Sequence, residues 1–367
     1  MKDWEIKKLK DICEKGSSNV NMKDLDKMQG NYPIYGASGF IQNVNFYHQE
    51  NEYIGIIKDG SGIGRTMLLP PKSSVIGTIQ YILPKEGNSI RFIDYALQSL
   101  NLSKYKQGAA IPHIYFRDYG ETELIVPPLE EQKRIVKILD EKFAMLETVK
   151  ANAKANLQNA KDLFQSQLTK AFSNTTWEKK RLDEVCSITS KLVDPTLPEY
   201  LDLYHVGGAN IESETGIIID LQTSKEEGLS SGKFTFDDTM VLYNKIRPYL
   251  KKVARPDFNG LCSADMYPLS PKTNITKDYL YYILTSNDFT EYAISKSGRA
   301  GMPKVNREAL FAYECYIPPL SEQKRIVEQL DSLSQKVRSL EEIYTKQLAN
   351  CDELKQAFLA KAFAGEL

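Results

Sequence analysis

A short segment in the second half of the chain concentrates side chains that can bind phosphates. Residues 244–255 contain no acidic residue, and their cationic and aromatic side chains are Lys245, Arg247, Tyr249, Lys251, Lys252 and Arg255. Lysine and arginine at this density attract the phosphate backbone of nucleic acids, and an arginine or an aromatic ring can also contact bases. The plain alternative is a solvated basic surface that binds nothing.

Further basic and amide side chains flank two glycine-bearing loops, at residues 108–112 and 298–303. Lysine and arginine would mainly anchor phosphates. The side chains better suited to base edges, because they present directional donors and acceptors, are those of Gln107, His113, Arg299 and Asn306. The candidate nucleic-acid contacts are therefore Lys58, Arg65, Lys104, Lys106, Gln107, His113, Arg117, Lys245, Arg247, Tyr249, Lys251, Lys252, Lys296, Arg299, Lys304, Asn306 and Arg307.

Glycine-rich residues 60–66 resemble a phosphate-binding loop but depart from its pattern. They read Gly-Ser-Gly-Ile-Gly-Arg-Thr, whereas a P-loop ends in Gly-Lys-Ser/Thr after a longer spacing between its glycines. A dinucleotide-binding fingerprint would need a third glycine where Arg65 stands. We expect a backbone turn here.

Catalytic motifs fail elsewhere too. The two Pro-Pro steps follow Val126 and Ile317, so neither is the Asn-Pro-Pro-Tyr site of an amino-methyltransferase. Pro256-Asp257 and residues 178–180 have the two halves of a metal-dependent nuclease motif, but in reverse order and without supporting acids. No set of nucleophile, base and orienting group is evident, so we predict that the chain is not an enzyme by itself.

Composition limits the class of protein. The chain has 367 residues with 42% hydrophobic content, enough for two or three domains. It shows no apolar run long enough to span a membrane and no apolar signal core at its N-terminus, so we expect a cytoplasmic protein without membrane contact. Five isolated cysteines and three histidines argue against a metal site or a disulfide framework. The net charge of -1 decides nothing about nucleic acids.

The chain repeats its own plan. Residues 127–136 return as residues 318–327, and residues 168–172 return as 359–363, both shifted by 191 residues. A looser copy of the opening, Trp4-Glu5, returns as Trp177-Glu178 at a shift of 173. The two shifts differ by 18 residues, so the blocks between opening and Pro-Pro step have diverged while their ends stayed alike.

Each Pro-Pro step opens a long amphipathic helix. Residues 129–172 contain no glycine or proline and carry apolar residues at steps of three and four, and residues 319–367 repeat this stripe until Gly365, a plausible C-cap. Each helix would be about 65 Å long. Two such stripes most economically pack on each other as an antiparallel coiled coil, since a module lies between them in the chain. Core helices of a larger helical domain are the alternative.

The remaining blocks, residues 1–128 and 173–318, favour two mixed α/β modules. Residues 53–57, 75–79, 216–219 and 240–243 look like strands separated by Gly, Asn and Pro turns. Residues 90–102 and 277–284 look helical. The predicted fold class is α+β: two mixed α/β domains, two long helices and a pseudo-twofold internal repeat.

Several of these features together resemble the specificity subunit of type I restriction-modification systems. They are the Trp-led openings, the segment from Lys245 to Ala254, the doubled Pro-Pro-Leu-x-Glu-Gln helix start, and the ending Ala362-Phe363-Ala364-Gly365-Glu366-Leu367. The resemblance covers essentially the whole chain.

The resemblance implies that each module is a target recognition domain that reads one half of an asymmetric bipartite site in double-stranded DNA. It implies that the helices set the spacer between the half-sites and dock two methyltransferase subunits, and that restriction subunits join the complex. S-adenosylmethionine, ATP and Mg would be bound by those partners, and no cofactor by this chain.

Two departures from the family pattern limit transfer between the modules. The step before the second-module strand is Phe236-Asp237-Asp238 rather than one ending in Gly-Asp, and the first module has residues 58–65 where the second has Ile246-Arg247-Pro248-Tyr249. Two alternatives stay open: a helical adaptor with two protein-binding modules, and the reading part of a different restriction or methylation enzyme.

Overall fold

The computed structural model describes residues 4–60, 62–108, 112–298 and 301–367. These form two compact units: unit 1 comprises residues 1–154 and 345–367, and unit 2 comprises residues 155–344. Each unit thus contains one module together with part of both long helices.

The first copy of the plan ends with the first long helix. Its strands and helices are β1 (Glu5–Lys8), α1 (Leu9–Ile12), β2 (Cys13–Ser17), β3 (Gln29–Gly36), β4 (Gly39–Val44), β5 (Tyr53–Ile57), β6 (Thr66–Leu69), β7 (Ser74–Val75), β8 (Ile79–Pro84), α2 (Ile90–Ser99), α3 (Phe116–Tyr119), β9 (Glu123–Val126) and α4 (Leu129–Phe172). Short 3-10 turns cover residues 22–27 and 102–105.

The second copy ends with the second long helix. Its elements are β10 (Glu178–Arg181), α5 (Leu182–Val185), β11 (Cys186–Ser187), β12 (Leu192–Val193), β13 (Tyr204–Val206), β14 (Gln222–Thr223), α6 (Ser224–Glu227), β15 (Lys233–Phe236), β16 (Val241–Asn244), β17 (Val253–Ala254), β18 (Gly260–Cys262), β19 (Met266–Pro271), α7 (Lys277–Thr285), α8 (Asn287–Ser295), α9 (Arg307–Phe311), β20 (Glu314–Ile317) and α10 (Leu320–Ala364). Short 3-10 turns cover residues 198–200 and 248–250.

Each module contains the same four-stranded sheet, which we call the framework sheet. Its order is β2-β8-β5-β6 in unit 1 and β11-β19-β16-β17 in unit 2, and every pair is antiparallel. A two-stranded ribbon, β1-β9 or β10-β20, joins the opening of each module to the strand that precedes the long helix. The repeat found in the sequence is therefore a repeat of topology.

The second sheet of each module is where the two differ. Unit 1 has three strands in the order β4-β3-β7, and unit 2 has five in the order β12-β15-β18-β13-β14. The framework lysines Lys85 and Lys272, which donate to the carbonyls of Lys10 and Asp183, are 187 residues apart. The openings at Trp4 and Trp177 are 173 residues apart, so most of the extra length of the second module precedes Lys272, in the part of the chain that contains all strands of its second sheet.

One module helix and the long helices cover the framework sheet in each unit. In unit 1, Phe92 and Leu97 of α2 share a core with Ile56 of the sheet and with Leu139 and Leu359 of the long helices. In unit 2, α7, β16, β19, α4 and α10 form the corresponding core, which includes Leu280, Tyr243, Leu269, Leu168 and Leu330. The stripe of the long helices is thus apolar because it closes both module cores.

The long helices run antiparallel where they meet. In unit 1, Lys142 lies over the ring of Phe358 and Lys150 pairs with Asp352, so one helix ascends in number as the other descends. In unit 2, Lys161 of α4 pairs with Glu341 of α10 at 3.1 Å. The predicted fold class and the antiparallel helix packing are confirmed; α4 covers residues 129–172, α10 covers Leu320–Ala364 of the predicted 319–367, and Gly365 (φ 77°) follows the end of α10 as expected.

Two of the predicted strands differ. Residues 75–79 do not form one strand, because β7 ends at Val75 and β8 begins at Ile79 after a turn through Gly77. Residues 216–219 form no strand, and only Ile218 makes an isolated bridge, to Ile211. Of the three isoleucines after the glycine, Ile218 packs from a loop against the cluster of the fully buried Ile211, whereas Ile217 is exposed.

Candidate nucleic-acid interface

Two loops meet in unit 2 beyond the end of strand β16 of the framework sheet. Residues 245–252 connect β16 to β17, and residues 298–305 precede α9; together they are called the second loop pair. The main-chain N–H of Arg247 donates to the carbonyl of Pro303 at 2.8 Å, and that of Val305 donates to the carbonyl of Lys245 at 3.0 Å. Main-chain groups thus hold together two regions that the sequence marked separately as basic.

Unit 1 has the same arrangement. Residues 58–65 connect β5 to β6, and they meet residues 107–114; these are the first loop pair. Here the N–H of Gly60 donates to the carbonyl of Pro112, and that of Ile114 donates to the carbonyl of Lys58, both at 3.0 Å. The four groups correspond one for one to those of the second loop pair, so the loops share a main-chain pattern and differ in side chains.

Lys245 and Lys304 of the second loop pair lie side by side. Their ammonium groups are 3.7 Å and 3.5 Å from the same carboxylate oxygen of Asp265. Lys245 is buried, and its ammonium also donates to the carbonyl of Ala264 and faces the ring of Tyr267. Burial lowers the pKa of Lys245, and the positive charge of Lys304 lowers it further. Of the two lysines, Lys304 is therefore the more available to a ligand.

The neighbouring lysines have partners inside unit 2. Lys251 donates to Oδ1 of Asn287 at 2.5 Å and to Oε1 of Gln165 at 3.3 Å, and burial lowers its pKa. Lys252 donates to the carbonyl of Gly208 at 2.6 Å. In this structure both ammonium groups are held by oxygens of the protein itself.

Arg255 also has internal partners. Its guanidinium pairs with Asp278 at 2.8 Å and Asp331 at 2.5 Å, and it lies over the rings of Tyr281 and Tyr282. Asp331 belongs to α10, so within unit 2 Arg255 joins the module to α10.

The exposed cations of this region are Arg247, Lys296 and Arg307. None of the three makes a side-chain hydrogen bond or ion pair with a described residue, and Tyr249, in the same loop as Arg247, is 50% exposed. Asn306 is exposed as well, but its Oδ1 caps α9 by accepting from the N–H of Ala309 at 2.7 Å. Arg299 lies outside the described residues.

In the first loop pair the predicted residues differ in their surroundings. Arg65 donates to the carbonyl of Ala37, Gln107 donates to Asp118, and Lys106 is exposed. Lys58 is half-buried and lines two clefts. Close to this pair, Lys104 lies exposed over the ring of Tyr105 at 4.9 Å.

His113 and Arg117 flank an aromatic ring. The imidazole of His113 stacks with the ring of Tyr115, and the guanidinium of Arg117 lies 4.7 Å from the centre of the same ring. His113 Nδ1 also lies 2.5 Å from Oδ1 of Asp59. Sequence reasoning missed Tyr115 and Asp59; nothing in their spacing shows that residues 59 and 113 meet.

Gln132 and Gln323 were also missed, although both copies of the repeat contain them. They are 1% and 0% exposed. Gln132 accepts from the N–H of Ser89 and donates to the carbonyl of Pro127. Gln323 accepts from the N–H of Thr276 and donates to the carbonyls of Pro318 and Asn274. Their recurrence at one repeat position was the available signal.

Other chemistries find little support in the described segments. Residues 4–60, 62–108, 112–298 and 301–367 contain no group of three or more His, Cys, Asp and Glu placed to hold a metal ion. The five cysteines, all in these segments, are free and buried, and burial raises the pKa of the Cys13 and Cys186 thiols to about 12. No helix in these segments is both long enough and apolar enough to cross a membrane.

Comparisons with known proteins point in one direction. A family profile described as the type I restriction modification DNA specificity domain matches residues 1–158 and again residues 174–348. The type I restriction enzyme EcoDI specificity subunit of Escherichia coli is 28% identical, over 100% of this chain and 89% of its own length. The MjaVIII specificity subunit of Methanocaldococcus jannaschii is 22% identical, over 100% of this chain and 93% of its own length.

Solved structures agree in fold. A chain from a study of complex assembly and conformational transition of the type I R-M system superposes with a TM-score of 0.74 at 19% identity, covering 100% of this chain and 98% of that one. The HsdS subunit from Thermoanaerobacter tengcongensis superposes with a TM-score of 0.54 at 19% identity, covering 100% and 97%.

Proposed function

The chain belongs to the family of the type I restriction modification DNA specificity domain, and from this membership we propose that each of its two modules reads one half of an asymmetric bipartite DNA site. The first loop pair contacts one half-site and the second loop pair contacts the other. Exposed cations hold phosphates, while directional side chains contact base edges.

The observation that carries this proposal is the shared main-chain pattern of the loop pairs. Lys58 and Ile114 are joined as Lys245 and Val305 are, yet the side chains around these positions differ. Two equivalent frames with different side chains suit a protein that contacts two chemically different sequences in the same manner.

The long helices supply the second part of the proposal. We divide the chain into recognition domains at residues 1–128 and 173–318 and helical segments at residues 129–172 and 319–367. The helical segments set the nonspecific spacer and dock two methyltransferase subunits, which restriction subunits then join. S-adenosylmethionine, ATP and Mg are bound by those partners, and the chain contributes no catalytic group of its own.

Binding by the chain assembled with its methyltransferase subunits tests the function. We expect binding to duplex DNA that weakens steeply with salt, and methylation mapping that returns a two-part target. Equal affinity for all duplexes, or binding that ignores salt, would favour a protein-binding adaptor. Turnover of DNA by the isolated chain would favour an enzyme.

A further inference from the structure

A carboxylate and an imidazole meet in the first loop pair. Asp59 and His113 form an antiparallel main-chain bridge, and His113 Nδ1 lies 2.5 Å from Oδ1 of Asp59. Their side chains are 23% and 39% exposed. They line an open cleft of about 430 Å³ whose other side chains include those of Lys15, Lys58, Gln80, Tyr115 and Arg117.

The pairing with Asp59 decides which imidazole nitrogen of His113 donates and which accepts. In a neutral imidazole one ring nitrogen donates and the other accepts. A carboxylate only accepts, so a neutral imidazole paired with Asp59 carries its hydrogen on Nδ1 and presents the lone pair of Nε2. His113 Nε2 makes no hydrogen bond to a described residue and is not buried, so it is accessible to a ligand.

The surroundings suit a nucleotide. Lys15, Lys58 and Arg117 place three positive charges around the cleft against the single carboxylate of Asp59. Tyr115 is 42% exposed and stacks on the imidazole with ring centres 6.3 Å apart. A directional acceptor thus lies among cations that can hold the adjacent phosphates.

On the basis of the proposed function, we infer that His113 Nε2 accepts a hydrogen bond from the exocyclic amino group of an adenine or a cytosine in the first half-site. In the major groove, adenine N6 and cytosine N4 are the donor groups, while guanine O6 and N7 and thymine O4 accept. Asp59 is a positioning residue, because it acts through the imidazole.

The second loop pair has the opposite polarity at the equivalent place. Lys304, which is 191 residues after His113, makes the same kind of main-chain bridge, to Ile246. An ammonium only donates, so a contact from Lys304 must be to an acceptor on a base or a phosphate. The two half-sites are therefore contacted with opposite hydrogen-bond roles at one structural position.

Base analogues that lack the amino group test this inference. In duplexes carrying the mapped target, each adenine of the first half-site is replaced in turn by purine, and each cytosine by 2-pyrimidinone, and binding by the assembled complex is measured at pH 8. Wild type should lose about five-fold affinity at the position that His113 contacts, as for a single hydrogen bond. His113→Ala should show the loss with the natural base and no further loss with the analogue.

Asp59→Asn is the matched variant, because it keeps the size of the side chain and the imidazole. Its amide can donate to Nδ1 as well as accept from it, so Nδ1 is no longer fixed as the donor and the ring hydrogen can move to Nε2, where the acceptor is lost. It should weaken the same analogue effect while salt-sensitive binding persists. Additive effects of variant and analogue at every position would overturn this inference and leave the proposed function standing. Loss of sequence-dependent binding by wild type would instead overturn the proposed function.

Discussion

The side-chain oxygen of Gln323, near the start of α10, accepts a hydrogen bond of 2.8 Å from the main-chain N–H of Thr276, the N-cap residue of α7. Gln132 and Ser89 repeat this bond at 2.8 Å between α4 and α2. A helix N-terminus has N–H groups without partners in the helix, and here the oxygen of a buried side-chain amide is the partner of one such group. The glutamine of the repeated Pro-Pro-Leu-x-Glu-Gln motif therefore joins each long helix to its module.

Gln323→Ala should destabilise unit 2. The substitution removes the partner of the half-buried N–H of Thr276 and of the buried carbonyl of Pro318, and each buried group left unsatisfied costs about 1–3 kcal/mol. We expect a loss of about 3 kcal/mol in the free energy of unfolding, measured by urea denaturation. Gln329→Ala, an exposed position two turns along the same helix, should change it by less than about 0.5 kcal/mol. Equal effects of the two variants would contradict the role of the buried amide.

Neutralising the exposed cations of unit 2 should weaken DNA binding to every sequence. Arg247→Gln, Lys296→Gln and Arg307→Gln together should reduce the slope of log affinity against log salt by about 0.9 for each phosphate that these side chains neutralise in the wild type. The measurement is a salt titration of the assembled complex on target and random duplexes. An unchanged slope would return these residues to an ordinary solvated surface.

The internally bonded lysines provide the contrast. Lys251→Met and Lys252→Met remove ammonium groups that Asn287 and the carbonyl of Gly208 already hold. We expect a lower melting temperature and little change in the salt slope. A slope reduced as much as by the exposed-cation variants would show that these lysines leave their protein partners for DNA.

Exchanging residues 177–316 for the equivalent block of a relative should change the second half-site only. The exchange also breaks a junction, since the carbonyl of Thr215 accepts from Tyr281 within the block and from Arg338 on α10 outside it. Position 147, the equivalent of Arg338 in α4, is a glutamate. Methylation mapping identifies the half-sites; a change in both halves would contradict modular recognition.

The same junction predicts an effect on stability. Arg338→Met should cost about 1 kcal/mol in the wild-type chain and close to nothing in a chimera whose block lacks the Thr215 loop. Thermal unfolding of the four proteins measures the difference. A similar cost in both backgrounds would assign the effect of Arg338 to the helix alone.

A buried carboxyl predicts the pH dependence of one variant. Burial raises the pKa of Asp94, although Thr66 and Gln98 donate to it. The folded chain then holds this proton more tightly than the unfolded chain, so the contribution of Asp94 to stability falls as pH rises from the ordinary carboxyl range through the raised pKa. Asp94→Asn should therefore gain stability relative to wild type at pH 8 compared with pH 4.5, measured by urea unfolding. A difference that is constant across pH would contradict the raised pKa.

The sequence best predicted the elements that the periodicity of apolar residues specifies without help from the rest of the fold. The stripes predicted in residues 129–172 and 319–367 are long, and Pro-Pro and Gly365 bound them, so the helices Leu129–Phe172 and Leu320–Ala364 lie close to the predicted segments. Residues 216–219 were misjudged because a short apolar run does not reveal whether a neighbouring strand is available to pair with it.

Contacts between distant residues were beyond a single sequence. Charge alone grouped Lys251 and Lys252 with Arg247, and only the fold shows that the first two meet Asn287 and Gly208 while the third is exposed. Asp59 was not recognised as a contact of His113, because the two residues are 54 positions apart and only the fold brings them together. In contrast, the repeated position of Gln132 and Gln323 was visible and could have been used.

Arg247 and Lys251 adopt left-handed backbone conformations, with φ of 51° and 46°. Such conformations cost an ordinary L-residue about 1 kcal/mol, yet glycine would remove the exposed side chain of Arg247 and the hydrogen bonds that Lys251 makes to Asn287 and Gln165. Since the main-chain bonds of Lys245, Arg247 and Val305 hold the loop, the side chains at positions 247, 249 and 304 can be replaced without reshaping it. If the second loop pair reads DNA as proposed, a combinatorial library confined to these three positions would sample new DNA targets on an unaltered scaffold, so that sequence specificity could change by point substitution as well as by exchange of a module.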